Sequence, residues 1–229
     1  MIKKANRNIV IVAGGKGNRM GTEIPKQFLL LKDKAVLMHT MALFYQFDKT
    51  ANIFLVLPES QIDYWKELTD KHQFTIQHQI IKGGAERFFS VKNALQNITE
   101  GEVWIHDGVR PLVSAKTLQN LADTIQANKA VIPTLAVEES LRKIENNKSK
   151  IVNRADYRLV QTPQVFKGNE IQKAYEQEYQ KIFTDDASVY EAFGGEIQTV
   201  SGNKENIKIT TKEDLLLAEY YLNIIQNEK

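Results

Sequence analysis

Short apolar runs alternate with helical patterns along the 229 residues. Ile9 to Val12 is a compact β-branched run, and Ile53 to Leu57 is another, stopped by Pro58. Thr75 to Ile81 reads as a third strand, Glu102 to His106 as a fourth, Ala130 to Val137 as a fifth and Gly195 to Val200 as a late one. Pro133 in the fifth predicts an edge or a bulge, because proline brings no ladder donor. Between the strands, Val91, Ala94, Leu95 and Ile98 share the spacing i, i+3, i+4, i+7, and Leu118, Leu121, Ala122 and Ile125 repeat it. Thr211 can cap a last helix, with Asp214 three residues on and an apolar stripe at Leu215, Ala218, Leu222 and Ile225. This alternation predicts an α/β fold: a Rossmann-like, mainly parallel twisted sheet with helices on both faces.

One segment departs from the rhythm. From Ser140 to Asn153 two short strand-like pieces, Leu141 to Ile144 and Ile151 to Asn153, flank the polar turn Glu145-Asn146-Asn147-Lys148. This reads as a projecting hairpin. Too few apolar residues are present for a core of its own, so it should lean on something else, such as a second subunit. We expect a single domain over 1–229 with an arm at about 138–158.

Composition narrows the class. Hydrophobic residues are 42% and charged residues 25%, ordinary for a globular protein. A formal net charge of +2 argues for neither nucleic acid nor a membrane surface. With no cysteine, thiolate catalysis and disulfides are excluded. No stretch approaches the ~20 apolar residues of a membrane span, and the basic N-terminus lacks the apolar run of a signal peptide. The expectation is a soluble cytoplasmic protein.

The candidate chemistry begins where the first strand ends, at Ala13-Gly14-Gly15-Lys16-Gly17-Asn18-Arg19-Met20-Gly21. Glycines after the first strand of such a sheet let backbone N–H groups approach phosphate oxygens. Lys16 is followed by Gly17, not by the Ser or Thr of a P-loop. Gly15, Gly17 and Gly21 give only a stretched dinucleotide pattern, and Pro25 interrupts the helix that pattern requires. Lys26, just after the proline, is placed to reach back to the same phosphates. Three further clusters fall at strand C-terminal ends: Gly83-Gly84-Ala85-Glu86-Arg87, Asp107-Gly108-Val109-Arg110-Pro111 and Asn206-Ile207-Lys208-Ile209-Thr210. Each alone reads equally well as a structural turn. Together they converge on one edge of the sheet.

The glycine loop with Pro25-Lys26-Gln27 resembles that of the sugar and polyol phosphate cytidylyltransferases. Gly83-Gly84-x-x-Arg87-x-x-Ser90-Val91, His106-Asp107-x-x-Arg110-Pro111, Gln161-Thr162-Pro163-Gln164, Thr184-Asp185-Asp186-Ala187-Ser188 and Asn206-Ile207-Lys208 are similar, in order and spacing, to the family acting on 2-C-methyl-D-erythritol 4-phosphate in non-mevalonate isoprenoid synthesis. The match runs from about Ile9 to Tyr221. It implies transfer of CMP from CTP to that polyol phosphate, with release of pyrophosphate. It also implies that Ala13, Gly14, Gly15 and Gly17, with catalytic Arg19 and Lys26, hold the triphosphate. Gly83, Gly84, Ala85 and Ser90 would line the cytosine pocket, with Asp107 and Gly108 beside the ribose and the metal–phosphate centre. Arg110, Thr184 and catalytic Lys208 would meet the polyol phosphate. Arg154, and Ser140 in place of a Thr, would reach a neighbouring subunit's site, so a homodimer is implied. Mg²⁺ would be bound mainly through CTP phosphates, with no dedicated protein ligands. Gly14 stands where the family often has Ala, Ala85 where Asp is common, and Glu139-Ser140 where Asp-Thr is usual.

Other readings are a ribitol 5-phosphate cytidylyltransferase with the same chemistry, a CTP-binding protein without turnover, and a nicotinamide oxidoreductase, which Pro25 disfavours. His106 reads as a structural histidine at a strand end, and Asp185 and Asp186 as helix-start carboxylates. His39, His72 and His78 read as packing or surface residues, Trp65 and Trp104 as core or interface, and Lys143, Lys148 and Lys150 as a solvated face.

Overall fold

The computed structural model describes residues 6–15 and 24–227. The chain begins with β1 (Arg7–Val12), the short pair β2 (Leu30–Leu31) and β3 (Lys34–Ala35), and α1 (Val36–Phe47). Next come β4 (Asn52–Leu57), α2 (Ile62–Lys71), β5 (Gln79–Lys82), α3 (Arg87–Leu95), β6 (Glu102–Asp107), α4 (Ala115–Thr124) and β7 (Ala130–Ala136). The hairpin β8 (Arg142–Glu145) and β9 (Lys148–Ile151) precedes β10 (Arg158–Val160), β11 (Gln164–Lys167), α5 (Gly168–Ala174), α6 (Asp186–Ala192), β12 (Gln198–Ser201) and α7 (Lys212–Asn227).

Among the described residues eight strands form one sheet in the order β10-β7-β11-β6-β1-β4-β5, with β12 also paired to β7. The pairs β5–β4, β4–β1, β1–β6 and β12–β7 are parallel. The strands β10 and β11 run against their neighbours. Alternation along the strands builds a core on each face. Ile9, Ile11, Ile53, Leu55 and Trp104 meet α1, α2 and α4, while Val10, Phe54, Val56, Val103 and Ile105 meet α3, α5 and α6. A third cluster seats α7 through Ala218 and Leu222 against Leu31, Val36, Val109 and Ile209. No described helix is long and apolar enough to cross a membrane.

The helix starts follow local chemistry. Ser114 accepts from the Thr117 amide at the head of α4. Asp185 and Ser188 close a capping box at α6. At α7, Asp214 accepts from the Thr211 amide at 2.8 Å while its own amide donates to Thr211 Oγ1 at 3.3 Å, the reciprocal cap expected there.

Two expectations need correction, at the third strand and at the hairpin turn, and the alternative left open at Pro133 is decided. The third strand is only Gln79–Lys82: Phe74 and Ile76 instead pack on the core beside Trp65, and Trp65 Nε1 donates to His78. The strand holding Pro133 is no edge, since β12 and the β10–β11 stretch both pair with it. Its proline faces a bulge: between Val160↔Thr134 and Val165↔Val131 the β10–β11 stretch takes five steps and β7 three, so the missing donor falls where the ladder is already irregular. The hairpin turn is two residues, not four. Asn146 and Asn147 sit at φ 50° and 60°, the left-handed pair that a two-residue hairpin needs.

Candidate active site

The C-terminal ends of β1, β4, β5 and β6 open into one cleft of ≈ 340 Å³. Ala13, Gly14, Gly15 and Lys26 form one wall, Gly83, Gly84, Ala85, Glu86, Arg87 and Ser90 another, and Asp107, Val109 and Lys208 the base. The turn Lys26–Phe28 after Pro25 folds Lys26 back, burying it to 9% exposure, with its Cε 3.4 Å from where a Cβ on Gly15 would stand. Gly84 has a local reason as well. A Cβ there would lie 2.4 Å from Phe89 Cβ, and the Gly84 amide donates to Ser90 Oγ at 3.0 Å, so only glycine lets the loop lie against α3.

Asp107 is the electrostatic centre. Lys208 Nζ lies 3.0 Å and Arg110 Nε 3.2 Å from its Oδ2, and Arg87 Nε 3.9 Å from its Oδ1. Burial pushes the carboxyl up, but Arg87, Lys208 and Arg110 together outweigh it and hold it well below the usual carboxylate range. A depressed folded pKa contributes stability that is full above the unfolded value near 3.8 and is lost as pH falls below it. Asp107→Asn is therefore expected to be less stable at neutral pH but to lose less on acidification. Urea midpoints from pH 6 to pH 2 check this; parallel curves for the two proteins would remove Asp107 from the acid limb.

Arg87 reaches two carboxylates. Its guanidinium grips Asp186 with two bonds of 2.7 and 2.6 Å, and Tyr175 donates to the same carboxylate at 2.6 Å. Burial would lower the Arg87 pKa, but Asp186 more than reverses it and keeps the guanidinium charged. Asp185 is the helix cap; Asp186 is instead an ion-pair partner.

His106 sits behind Asp107, fully buried against Phe44. Its Nε2–H donates to the Arg110 carbonyl at 2.9 Å, and its Nδ1 accepts from Thr162 Oγ1 at 3.0 Å, which in turn accepts from the Asp107 amide at 3.1 Å. That network assigns the neutral tautomer. Burial lowers its pKa to about 4, so it stays neutral near pH 7. Asn206 ties the base together: its Nδ2 donates to the Thr162 carbonyl, and its own carbonyl accepts from Arg110 at 2.8 Å. Ile209 N donates to Val109 O at 3.0 Å, which holds Lys208 over the cleft.

The sequence profile of the family described as 2-C-methyl-D-erythritol 4-phosphate cytidylyltransferase matches residues 8–224. The chain belongs to that family. It is 52% identical over 215 residues to the enzyme of that name from Phocaeicola vulgatus, covering 93% of this chain and 98% of that one. The Bacteroides fragilis protein of the same name is 51% identical over 217 residues, covering 94% and 99%. The crystal structure of 4-diphosphocytidyl-2C-methyl-D-erythritol synthase from Anaerococcus prevotii superposes with a TM-score of 0.81 at 26% identity, covering 96% of each chain.

Of the residues the family pattern singles out, Lys26, Lys208, Asp107, Ser90 and the glycine and alanine positions 13–15 and 83–85 share the cleft. Gly17 and Arg19 lie outside the described residues. Gly108 lies beneath the cleft rather than on it: a Cβ there would meet Ala13 Cβ at 2.9 Å, so the glycine serves close packing of β6 against β1. Arg110 is also off the lining, its charge turned to Asp107 and Asn206. Thr184, Ser140 and Arg154 are exposed and do not line the cleft; Arg154 donates to the Glu138 carbonyl at the base of the arm. Arg87, Glu86, Gln27 and Pro58 line it without having been singled out. Arg87 and Gln27 belong to the stretches Gly83–Val91 and Pro25–Gln27, but the carboxylate partner of Arg87 lies 99 positions away. A larger cavity of ≈ 540 Å³, lined by Lys129, Glu170, Tyr190 and Phe193, contains none of the predicted site residues.

Proposed function

We propose that the cleft transfers the cytidylyl group of CTP to 2-C-methyl-D-erythritol 4-phosphate, giving 4-(CDP)-2-C-methyl-D-erythritol and pyrophosphate. The observation that carries this is the convergence of Lys26 and Lys208, from opposite ends of the chain, on one cleft beside glycine-rich backbone. The acceptor's phosphate has a second pKa near ~6 and is largely a dianion at neutral pH. It attacks the α-phosphorus without a general base: an acceptor oxygen bonds to phosphorus as the bond to the β-phosphate oxygen breaks. Neutral, walled-in His106 is neither needed as a base nor able to act as one. Catalysis is positioning and charge compensation.

Lys26 and Arg19 stabilise the pentacoordinate α-phosphate and the leaving pyrophosphate, and Lys208 and Arg110 orient the acceptor. The backbone of Gly14, Gly15 and Gly17 carries the triphosphate, and Gly83, Gly84, Ala85 and Ser90 the base. A Mg²⁺ held mostly by phosphates would find Asp107 as its nearest protein carboxylate in the cleft, with Oδ1 the oxygen less closely engaged, 3.9 Å from Arg87 Nε against 3.0 Å from Lys208 to Oδ2. Bound there, the ion would draw charge from the triphosphate oxygens.

Pyrophosphate release tests the assignment with each nucleoside triphosphate against this acceptor and ribitol 5-phosphate. CTP with the methylerythritol phosphate should be the fastest pair; turnover of ribitol 5-phosphate alone would reassign the acceptor, and CTP binding without turnover would remove the enzyme.

The arm supports a homodimer with shared sites. It exposes Ile151 to 82% and Ile144 to 65%, and Leu159 on the adjoining β10 is 53% exposed, more apolar side chain than a solvated hairpin requires. Arg154 and Ser140 at its base would then meet substrate only in the assembled dimer. Arg154→Ala should weaken acceptor binding and spare CTP. Mixing it with Lys26→Ala subunits should recover activity, and verified mixed dimers without recovery would rule out a shared site.

A further inference from the structure

Gln27 is the most deeply buried polar side chain on the wall of the cleft, with none of its surface exposed. Its carboxamide Nε2 donates to the Ala13 carbonyl at 2.8 Å and to Gln61 Oε1 at 2.6 Å. The bond to Ala13 fixes which end is the nitrogen, since a carbonyl can only accept. Among the described residues Oε1 is then left buried with no partner.

That imbalance is informative. A buried amide oxygen without a donor is destabilising, and an apolar side chain of similar length would fill the space without it. Gln27 is therefore poorly explained by packing, and its two donated hydrogen bonds are what distinguish it from such a residue. They join three segments of the cleft: the end of β1, the turn bearing Lys26, and the turn after β4 that holds Pro58 and Gln61. Ala13 is gripped on both sides, its amide by Val56 O at 3.0 Å and its carbonyl by Gln27. The chain leaves that grip directly into Gly14 and Gly15, and Gly15 lies against the Lys26 side chain.

We infer that Gln27 is a positioning residue for the transfer step, setting the phosphate-binding loop and the Lys26 ammonium relative to each other through the Ala13 carbonyl. The inference rests on the proposed reading of the cleft as the cytidylyl-transfer site. A reacting group displaced by about 1 Å can lose ~10²-fold in rate, so a lost tether should appear in kcat before it appears in CTP binding.

Gln27→Met and Gln27→Glu test it, each compared with wild type for kcat, KM for CTP and melting temperature. Gln27→Met removes the orphan oxygen and orphans the Ala13 carbonyl, while Gln61, which is only half-buried, can turn its amide to water, so its melting temperature should stay close to wild type. Its kcat should fall at least ~tenfold, with KM for CTP changed less than ~threefold. Gln27→Glu carries a carboxyl whose pKa burial raises. Once protonated, its O–H can donate to Ala13 in place of Nε2, so its kcat relative to wild type should climb as pH falls from about 8 to about 6. Taking the ratio cancels the acceptor's own titration. Gln27→Met with kcat within ~twofold of wild type would overturn the inference. So would a flat pH ratio for Gln27→Glu with activity falling only in step with melting temperature. If wild type itself releases no pyrophosphate from CTP and the polyol phosphate, the reading of the site fails instead, and the two failures are distinguishable.

Discussion

Lys26→Ala is expected to lower kcat about 10²–10³-fold, while CTP affinity changes by no more than several-fold. Removing one preorganised charge-stabilising group from a water-poor site typically costs ~2.7–4 kcal/mol of transition-state stabilisation. Lys26 meets those conditions: it is 9% exposed, folded back by the turn after Pro25, and rests on the glycine loop. Negative charge on the leaving pyrophosphate grows only as the bond to the α-phosphorus breaks, so the ammonium interacts more strongly with the transition state than with bound CTP. Single-turnover rates at saturating CTP isolate that step. An unchanged chemical rate would take Lys26 out of catalysis and make it a binding residue.

The largest expected loss of stability is at Asp186. Asp186→Ala takes a fully buried carboxylate from the partly exposed Arg87 guanidinium, leaving it only the more distant Asp107, and orphans the Tyr175 hydroxyl in the interior. Breaking a buried ion pair by removing one partner costs ~3–5 kcal/mol, and at this chain length each kcal/mol moves the melting temperature by about 2–4 °C. A drop of about 6–20 °C is expected by thermal unfolding. Arg87 lines the cleft, so KM for CTP should rise as well. Arg87→Met combined with Asp186→Leu should recover much of the melting temperature but not the CTP affinity. A melting temperature within 2 °C of wild type for Asp186→Ala would show that the pair contributes little.

Much of the architecture was legible from residue order. The β-branched runs at Ile9 and Ile53, the helix stripes at Val91 and Leu118, and the Thr211–Asp214 cap are local signals, and local periodicity and capping chemistry suffice to produce them. The hairpin around Asn146-Asn147 was visible for the same reason. Helix α1 left no such stripe: Val36, Leu37, Met38, Thr40, Met41 and Phe44 are all buried, and a helix covered on most sides loses the polar face that marks a period. The strand expected over Thr75 to Ile81 is shorter because residue order does not reveal that Phe74 packs against the Trp65 ring, that His78 accepts from Trp65 Nε1 and that Ile76 turns into the core.

The site divides along the same line. Backbone that must approach another group closely announces itself through glycine, so the loop at Gly14 and the Gly83-Gly84 turn, with Lys26 just after Pro25, could be picked out from single stretches of chain. Partnerships across the sheet could not. That Asp107 gathers Arg87, Arg110 and Lys208, that Asp186 completes Arg87, that Gly108 packs beneath the cleft, and that Gln27 holds the Ala13 carbonyl are matters of distance between segments remote in sequence. Residue order sets which groups exist and what each stretch prefers locally; parallel strand pairing and two-sided helix packing decide which charges come within reach, because Coulombic and hydrogen-bonding energies depend on separation in space.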